Sequence, residues 1–115
     1  MPLITVAAHP HAEERGLLRS IADAVAKSLG LGPGDVIAMS VPVRETVANT
    51  DSVIAGSDNV AAGSWMLVSI HGSDRGPDKM RAACASAETA ANEWSRRLGV
   101  DGEGVWCEWL LPQHP

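Results

Sequence analysis

Met1-Pro2-Leu3-Ile4-Thr5-Val6 opens the chain, and the remainder is organised around this stretch. Leu3 to Ala8 (LITVAA) is short, β-branched and nearly all apolar, which predicts a strand paired inside a sheet. Proline is tolerated at the head of a strand, where its missing N–H is not needed by the ladder. Trimming of Met1 would leave Pro2 as the N-terminus with a free secondary amine. Desolvation or nearby cations lower the pKa of such an amine, so that its neutral form is populated near physiological pH. A base fixed at the end of a buried strand suits proton abstraction beside a carbonyl. The plainer alternative is a strand that merely begins with proline, and six residues do not separate the two.

The length of 115 residues predicts a single domain (1–115) with a modest core. A net charge of −5 without any basic run argues against nucleic acid or an anionic membrane as partner. No apolar stretch approaches the roughly 20 residues of a membrane span, and no signal peptide is visible at the N-terminus. Cys84 and Cys107 form no CxxC pair, which fits reduced thiols rather than a disulfide framework or a zinc site. A cytoplasmic, soluble protein is the expectation.

His9-Pro10-His11 breaks the first strand. Glu13 and Glu14 favour a helical first turn, and apolar residues at 17, 18, 21, 25 and 29 continue with helical spacing as far as Gly30. Val36 to Val43 reads as a second strand whose far end, at Pro42, lies at an edge or bulge. Residues 44–64 are rich in small and polar side chains without a sustained period. They read as a long connection, with room for a short strand or turn. Trp65 to His71 is a third strand, and Pro77 suits the first position of a second helix. Met80, Cys84, Ala87, Ala91, Trp94 and Leu98 predict the packed face of that helix, which Gly99 ends. Val105 to Leu111 is the last strand, closed by Pro112.

Leu29-Gly30-Leu31 recurs as Leu98-Gly99-Val100, and the same offset carries Val36 onto Val105. The chain thus reads as strand–helix–strand twice, about 2–43 and 65–112, each unit joined by a right-handed crossover. The predicted class is α+β, a two-layer α/β sandwich with a four-stranded sheet and both helices on one face. The other face has no cover within the chain, so burial by oligomerisation is expected.

With this architecture the chain resembles the tautomerase superfamily, which includes 4-oxalocrotonate tautomerase, 5-carboxymethyl-2-hydroxymuconate isomerase and macrophage migration inhibitory factor. The resemblance rests on the opening MPLITV and the duplicated unit, and covers nearly the full chain. It is similar to the migration inhibitory factor in Ser69-Ile70-His71-Gly72-Ser73-Asp74-Arg75 and in Pro33-Gly34-Asp35-Val36-Ile37-Ala38. It implies a homotrimer with inward-facing sheets, active sites at subunit boundaries, and Pro2 as acid/base. The chain also departs from the pattern. His9-Pro10-His11 stands where short tautomerases carry an arginine after the first strand, and Gly32 where migration inhibitory factors carry a lysine. Trp106 replaces a pocket tyrosine, and Glu108 an asparagine.

The candidate catalytic residues are Pro2 and Arg75, the latter placed in the loop after the third strand to hold a carboxylate or polarise a carbonyl. Its alternative is a loop arginine paired with Asp74 or Asp78. Arg44, His71, Trp106 and Glu108 are the candidate substrate-binding residues. Trp106 and Glu108 alternate onto one strand face, with Val105, Cys107 and Trp109 on the other. His9 and His11 suit turn or capping roles better than metal ligation, and Cys84 reads as inert core. No cofactor and no metal are called for.

The expected activity is keto-enol tautomerisation of a small 2-keto or 2-hydroxy-enoate acid, once Met1 is removed. Two alternatives stay open. One is hydratase, dehalogenase or decarboxylase chemistry with Glu108 activating water. The other is a non-catalytic trimeric binding module, since a retained Met1 would turn the Pro2 amine into an amide without basicity.

Overall fold

Six elements run in the order β1 (Leu3–Ala8), α1 (Glu14–Leu29), β2 (Ile37–Pro42), β3 (Trp65–His71), α2 (Pro77–Leu98) and β4 (Gly104–Leu110). They are seen in a computed structural model that describes residues 1–47, 49, 65–100 and 102–113. The four strands form one mixed sheet in the order β2-β1-β3-β4. β1 pairs in parallel with β2 from Leu3↔Ile37 to Ala8↔Pro42, and β3 with β4 from Trp65↔Gly104 to His71↔Leu110. A parallel neighbour cannot be reached through a tight turn, so each pair is spanned by a helical crossover. The two units meet through the antiparallel β1–β3 pair at the centre of the sheet.

Strand periodicity divides the sheet into two unlike faces. Ile4, Val6, Val68 and Ile70 turn towards the helices and are at most 1% exposed. They pack against Leu17, Ile21 and Val25 of α1 and against Ala83, Ala87, Ala91 and Trp94 of α2. The three alanines on α2 let its backbone lie close to its neighbours. Alternate positions carry Leu3, Ile37, Met39, Val41, Leu67 and Leu110, all between 37% and 47% exposed. The uncovered apolar face expected from the sequence is therefore present in the single chain.

The helix ends repeat as well. Gly30 and Gly99 both adopt the left-handed conformation, at φ 68° and 66°. Leu31 N–H donates to the Ala26 carbonyl and Val100 N–H to that of Ser95, so each helix closes on the same glycine-dependent motif. Pro77 opens α2 as expected. Pro42 ends β2, an edge strand, where its lost N–H is harmless.

Some expectations need adjustment. β2 is shorter at both ends than 36–43, and β4 begins and ends one residue before 105–111. Leu98, expected on the packed face of α2, is 38% exposed; the last turn of the helix leaves the core, whereas Ala83 at 0% is a core seat the spacing did not single out. The long connection read over 44–64 falls mostly outside the described residues. No helix among the described residues is long and apolar enough to cross a membrane.

Candidate active site

Pro2 immediately precedes β1 and is fully buried in the single chain. Its carbonyl accepts the Ile37 N–H at 3.3 Å, which extends the β1–β2 ladder by one bond and fixes the start of the chain against β2. With Met1 attached, the Pro2 nitrogen is a tertiary amide; loss of Met1 converts it to a secondary amine in apolar surroundings. Burial disfavours the charged form of such an amine.

The antiparallel central pair brings the end of β3 to the start of β1. His71 lies opposite Leu3 on one side and Leu110 on the other, with its side chain on the open face. The loop from Gly72 to Gly76 then leads into α2 at this same end. It is tied down at both ends by hydrogen bonds. The Gly72 N–H donates to the Leu110 carbonyl at 3.2 Å, and the Trp109 Nε1–H donates to the Gly72 carbonyl at 3.3 Å. The Gly76 N–H donates to Asp74 Oδ1 at 2.8 Å, while Gly76 itself sits at φ 87°, a conformation open to glycine.

Arg75 stands within this loop, half-buried, and its Nε is buried without a hydrogen-bond partner among the described residues. Asp74 accepts from Gly76, and Asp78 pairs with Arg81 at 3.4 Å on the exposed helix surface. Buried polar atoms are nearly always satisfied, so an unpartnered guanidinium nitrogen is a donor with capacity to spare.

The other candidates lie elsewhere in the single chain. Trp106 and Glu108 share the open face, as their alternation predicts, and the Trp106 Nε1–H approaches Glu108 Oε2 at 3.5 Å. Glu108 is opposite Ser69 at mid-strand, and Trp106 is opposite Leu67, four residues before the His71 end. At about 3.3 Å per residue, Trp106 is roughly 13 Å away along the strand. Arg44 follows Pro42, which is opposite Ala8, so it lies at the far end of the sheet from Pro2. One chain thus places Pro2, His71 and Arg75 at a common end, and does not bring Arg44 or Trp106 to them.

His11 takes the turn role, one of the two expected for it: its Nδ1 accepts the Glu13 N–H at 2.9 Å just before α1. No group of three or more metal-ligating side chains occurs among the described residues. Sequence reasoning missed two juxtapositions. The thiols of Cys84 on α2 and Cys107 on β4 are neighbours, and burial pushes both above the ordinary thiol range, Cys107 further. The only available hint was that both residues fall on inward-facing positions, which identifies no partner. The tie between Trp109 and Gly72 was likewise invisible, because it joins the end of β4 to a loop 37 positions earlier.

No protein-family profile matches the chain, and no curated protein sequence does. Solved structures do match its fold. A "fused 4-OT wild type symmetric trimer" is 24% identical, with a TM-score of 0.66 over 98% of this chain and 85% of that one. A 5-carboxymethyl-2-hydroxymuconate delta-isomerase is 15% identical, with a TM-score of 0.68 over 97% of this chain and 82% of its own. The macrophage migration inhibitory factor of Toxoplasma gondii is 13% identical, with a TM-score of 0.67 over 96% of this chain and 90% of its own. At these identities the likeness is one of architecture, and the chain has the fold of the tautomerase superfamily.

Proposed function

We propose that the chain is a keto-enol tautomerase in which Pro2, exposed as the N-terminal residue by loss of Met1, is the general acid/base. The observation that carries this reading is the placement of Pro2: buried at the head of a central strand, at the sheet end that also bears His71 and Arg75. Arg75 is the group that holds the carboxylate of a small 2-keto or 2-hydroxy-enoate acid, and its unpartnered Nε supports that assignment. In the ketonising direction the neutral Pro2 amine takes the proton of the 2-hydroxyl group. The oxygen lone pair then forms the C2 carbonyl, and the π electrons of the enol accept a proton at carbon 3 from the Pro2 ammonium. Substrate and product are isomers, so the step requires no co-reactant.

The open apolar face supports a homotrimer with the sheets turned inward, and one of the matching structures is a symmetric trimer. In that assembly the distance between Arg44 or Trp106 and Pro2 within one chain ceases to be an obstacle. A neighbouring subunit supplies Arg44, Trp106 and Glu108 to the pocket at the boundary.

The test pairs intact mass with turnover of phenylenolpyruvate. Protein lacking Met1 should ketonise it, and Pro2→Ala, which retains a primary amine, should lose most of that rate with an unchanged circular dichroism spectrum. Arg75→Ala should act chiefly on KM and on selectivity for the carboxylate. Full activity in Pro2→Ala, or in protein that keeps Met1, would sink the assignment.

A further inference from the structure

A second concave feature lies away from the Pro2 end. A cavity of about 290 Å³ opens at the opposite end of the sheet, where β1 finishes, α1 begins and α2 ends. β1 alone separates the two ends by roughly 20 Å at about 3.3 Å per residue. The cavity floor consists of core residues: Val6, Leu17, Met66 and Trp94, none more than 8% exposed. The cavity is partly open to solvent, so a small ligand can reach this apolar floor without a rearrangement of the core.

We infer that this cavity is a second ligand site, built for a small uncharged aromatic compound bearing one hydrogen-bond acceptor, of the size of an aryl ketone or phenol.

Size, charge and hydrogen bonding each point to that class. An apolar cavity of roughly 150 Å³ accepts benzene, so about 290 Å³ holds a ring with substituents. Among the described residues, the titratable groups around the cavity are His9, His11, Glu14 and Arg96, and neither Glu14 nor Arg96 has an ion-pair partner among them. One acid and one base on the same rim disfavour either sign of ligand charge. A charged ligand would also be drawn over an apolar floor at a desolvation cost.

His11 supplies the directional contact. Its Nδ1 is the acceptor for the Glu13 N–H, so the neutral ring carries its proton on Nε2 and offers a donor there. The imidazole is held edge-on to Trp94, with ring centroids 5.0 Å apart and planes at 76°. Two fixed aromatic rings beside an apolar floor favour a third ring as occupant.

The test is an NMR titration of the full chain with acetophenone as the neutral probe, and with benzoate and benzylamine as its charged counterparts. Acetophenone should give saturable shifts at the Trp94 indole and at Val6 and Leu17, and none at Ile70 or His71. The charged probes should bind about tenfold more weakly or worse. Leu18→Trp and Ser95→Leu fill the cavity from α1 and α2 respectively, and either variant that keeps the wild-type spectrum elsewhere should abolish binding. No saturable shift with acetophenone, unaltered affinity in a folded cavity-filling variant, or tighter binding of a charged probe would each overturn the inference.

Discussion

Gly72→Ala tests how the loop bearing Arg75 is held in place. A Cβ built on Gly72 would lie 2.8 Å from Trp109 Cζ2, 3.4 Å from Cη2 and 3.5 Å from Cε2. Contacts under about 3 Å do not persist, so the indole, the loop or both must move. Trp109 is half-buried on the helix side of β4, with its Nε1–H bonded to the Gly72 carbonyl, so a shift of the ring also endangers that bond. Overpacking of this kind costs about 1–3 kcal/mol, and the lost hydrogen bond about 0.5–1.5 kcal/mol. Against this, replacing glycine at a position with no positive φ lowers the entropy of the unfolded chain and stabilises by about 0.4–1 kcal/mol. The clash prevails, and Gly72→Ala should destabilise by about 1–3 kcal/mol. Urea unfolding at fixed protomer concentration measures this, because the proposed assembly would make apparent stability depend on concentration. The decisive comparison repeats the substitution in Trp109→Leu, which lacks all three clashing atoms. There Gly72→Ala should be neutral or slightly stabilising, giving a coupling of about 2 kcal/mol between the two sites. Equal destabilisation in both backgrounds would refute the steric argument.

Gly104→Ala meets a similar obstacle, Trp65 Cζ3 at 2.8 Å, but Trp65 is 48% exposed and can swing into solvent. Its cost should stay below about 1 kcal/mol in the same unfolding assay. Leu67 is 43% exposed on a central strand of the open face, so its burial in the proposed trimer would be worth roughly 1 kcal/mol per copy. Leu67→Glu removes that and adds a charge to desolvate, and sedimentation velocity should show a shift towards monomer with helicity retained. The Cys107 thiol is raised mainly by burial, with Cys84 and nearby carboxylates adding to it. It therefore stays protonated in the folded chain while unfolded thiols ionise near their ordinary value of 9.0. Stability should accordingly be insensitive to this group below pH 8 and decline as pH rises past the unfolded value, a loss that Cys107→Ala should reduce.

The fold was legible because its determinants are local and occur twice. LITVAA and WMLVSIH coincide with β1 and β3, and Gly30 and Gly99 stop their helices with the same left-handed turn. Strand parity also assigned Trp106 and Glu108 to one face, and Cys107 and Trp109 to the other. What escaped was whatever depends on two elements meeting. No periodicity tells that Cys84 of α2 and Cys107 of β4 are neighbours, or that Trp109 binds the carbonyl of Gly72. Arg44 illustrates a different limit. Its nearness in sequence to a strand end was visible, but which end of the sheet it occupies depends on β2 running parallel to β1.

The same duplication accounts for the two ends of the sheet having diverged. In each unit a strand hands over to a helix through a short loop: residues 9–13 between β1 and α1, and residues 72–76 between β3 and α2. Because β1 and β3 run antiparallel, these equivalent loops lie at opposite ends of the sheet. Only the second faces the start of β1, so only there can a chain terminus contribute an amine. The first has no terminus beside it and carries His9-Pro10-His11 instead, over the space left where α1 begins and α2 ends. One loop is thus fixed by a hydrogen bond from Trp109 and one accepted by Asp74, around an arginine with a spare donor, and the other by an imidazole that accepts the Glu13 N–H. A repeated unit folded once would give one such loop and no free end beside it. Folding it twice, head to tail across an antiparallel seam, is what places Pro2 against a strand-to-helix loop at all.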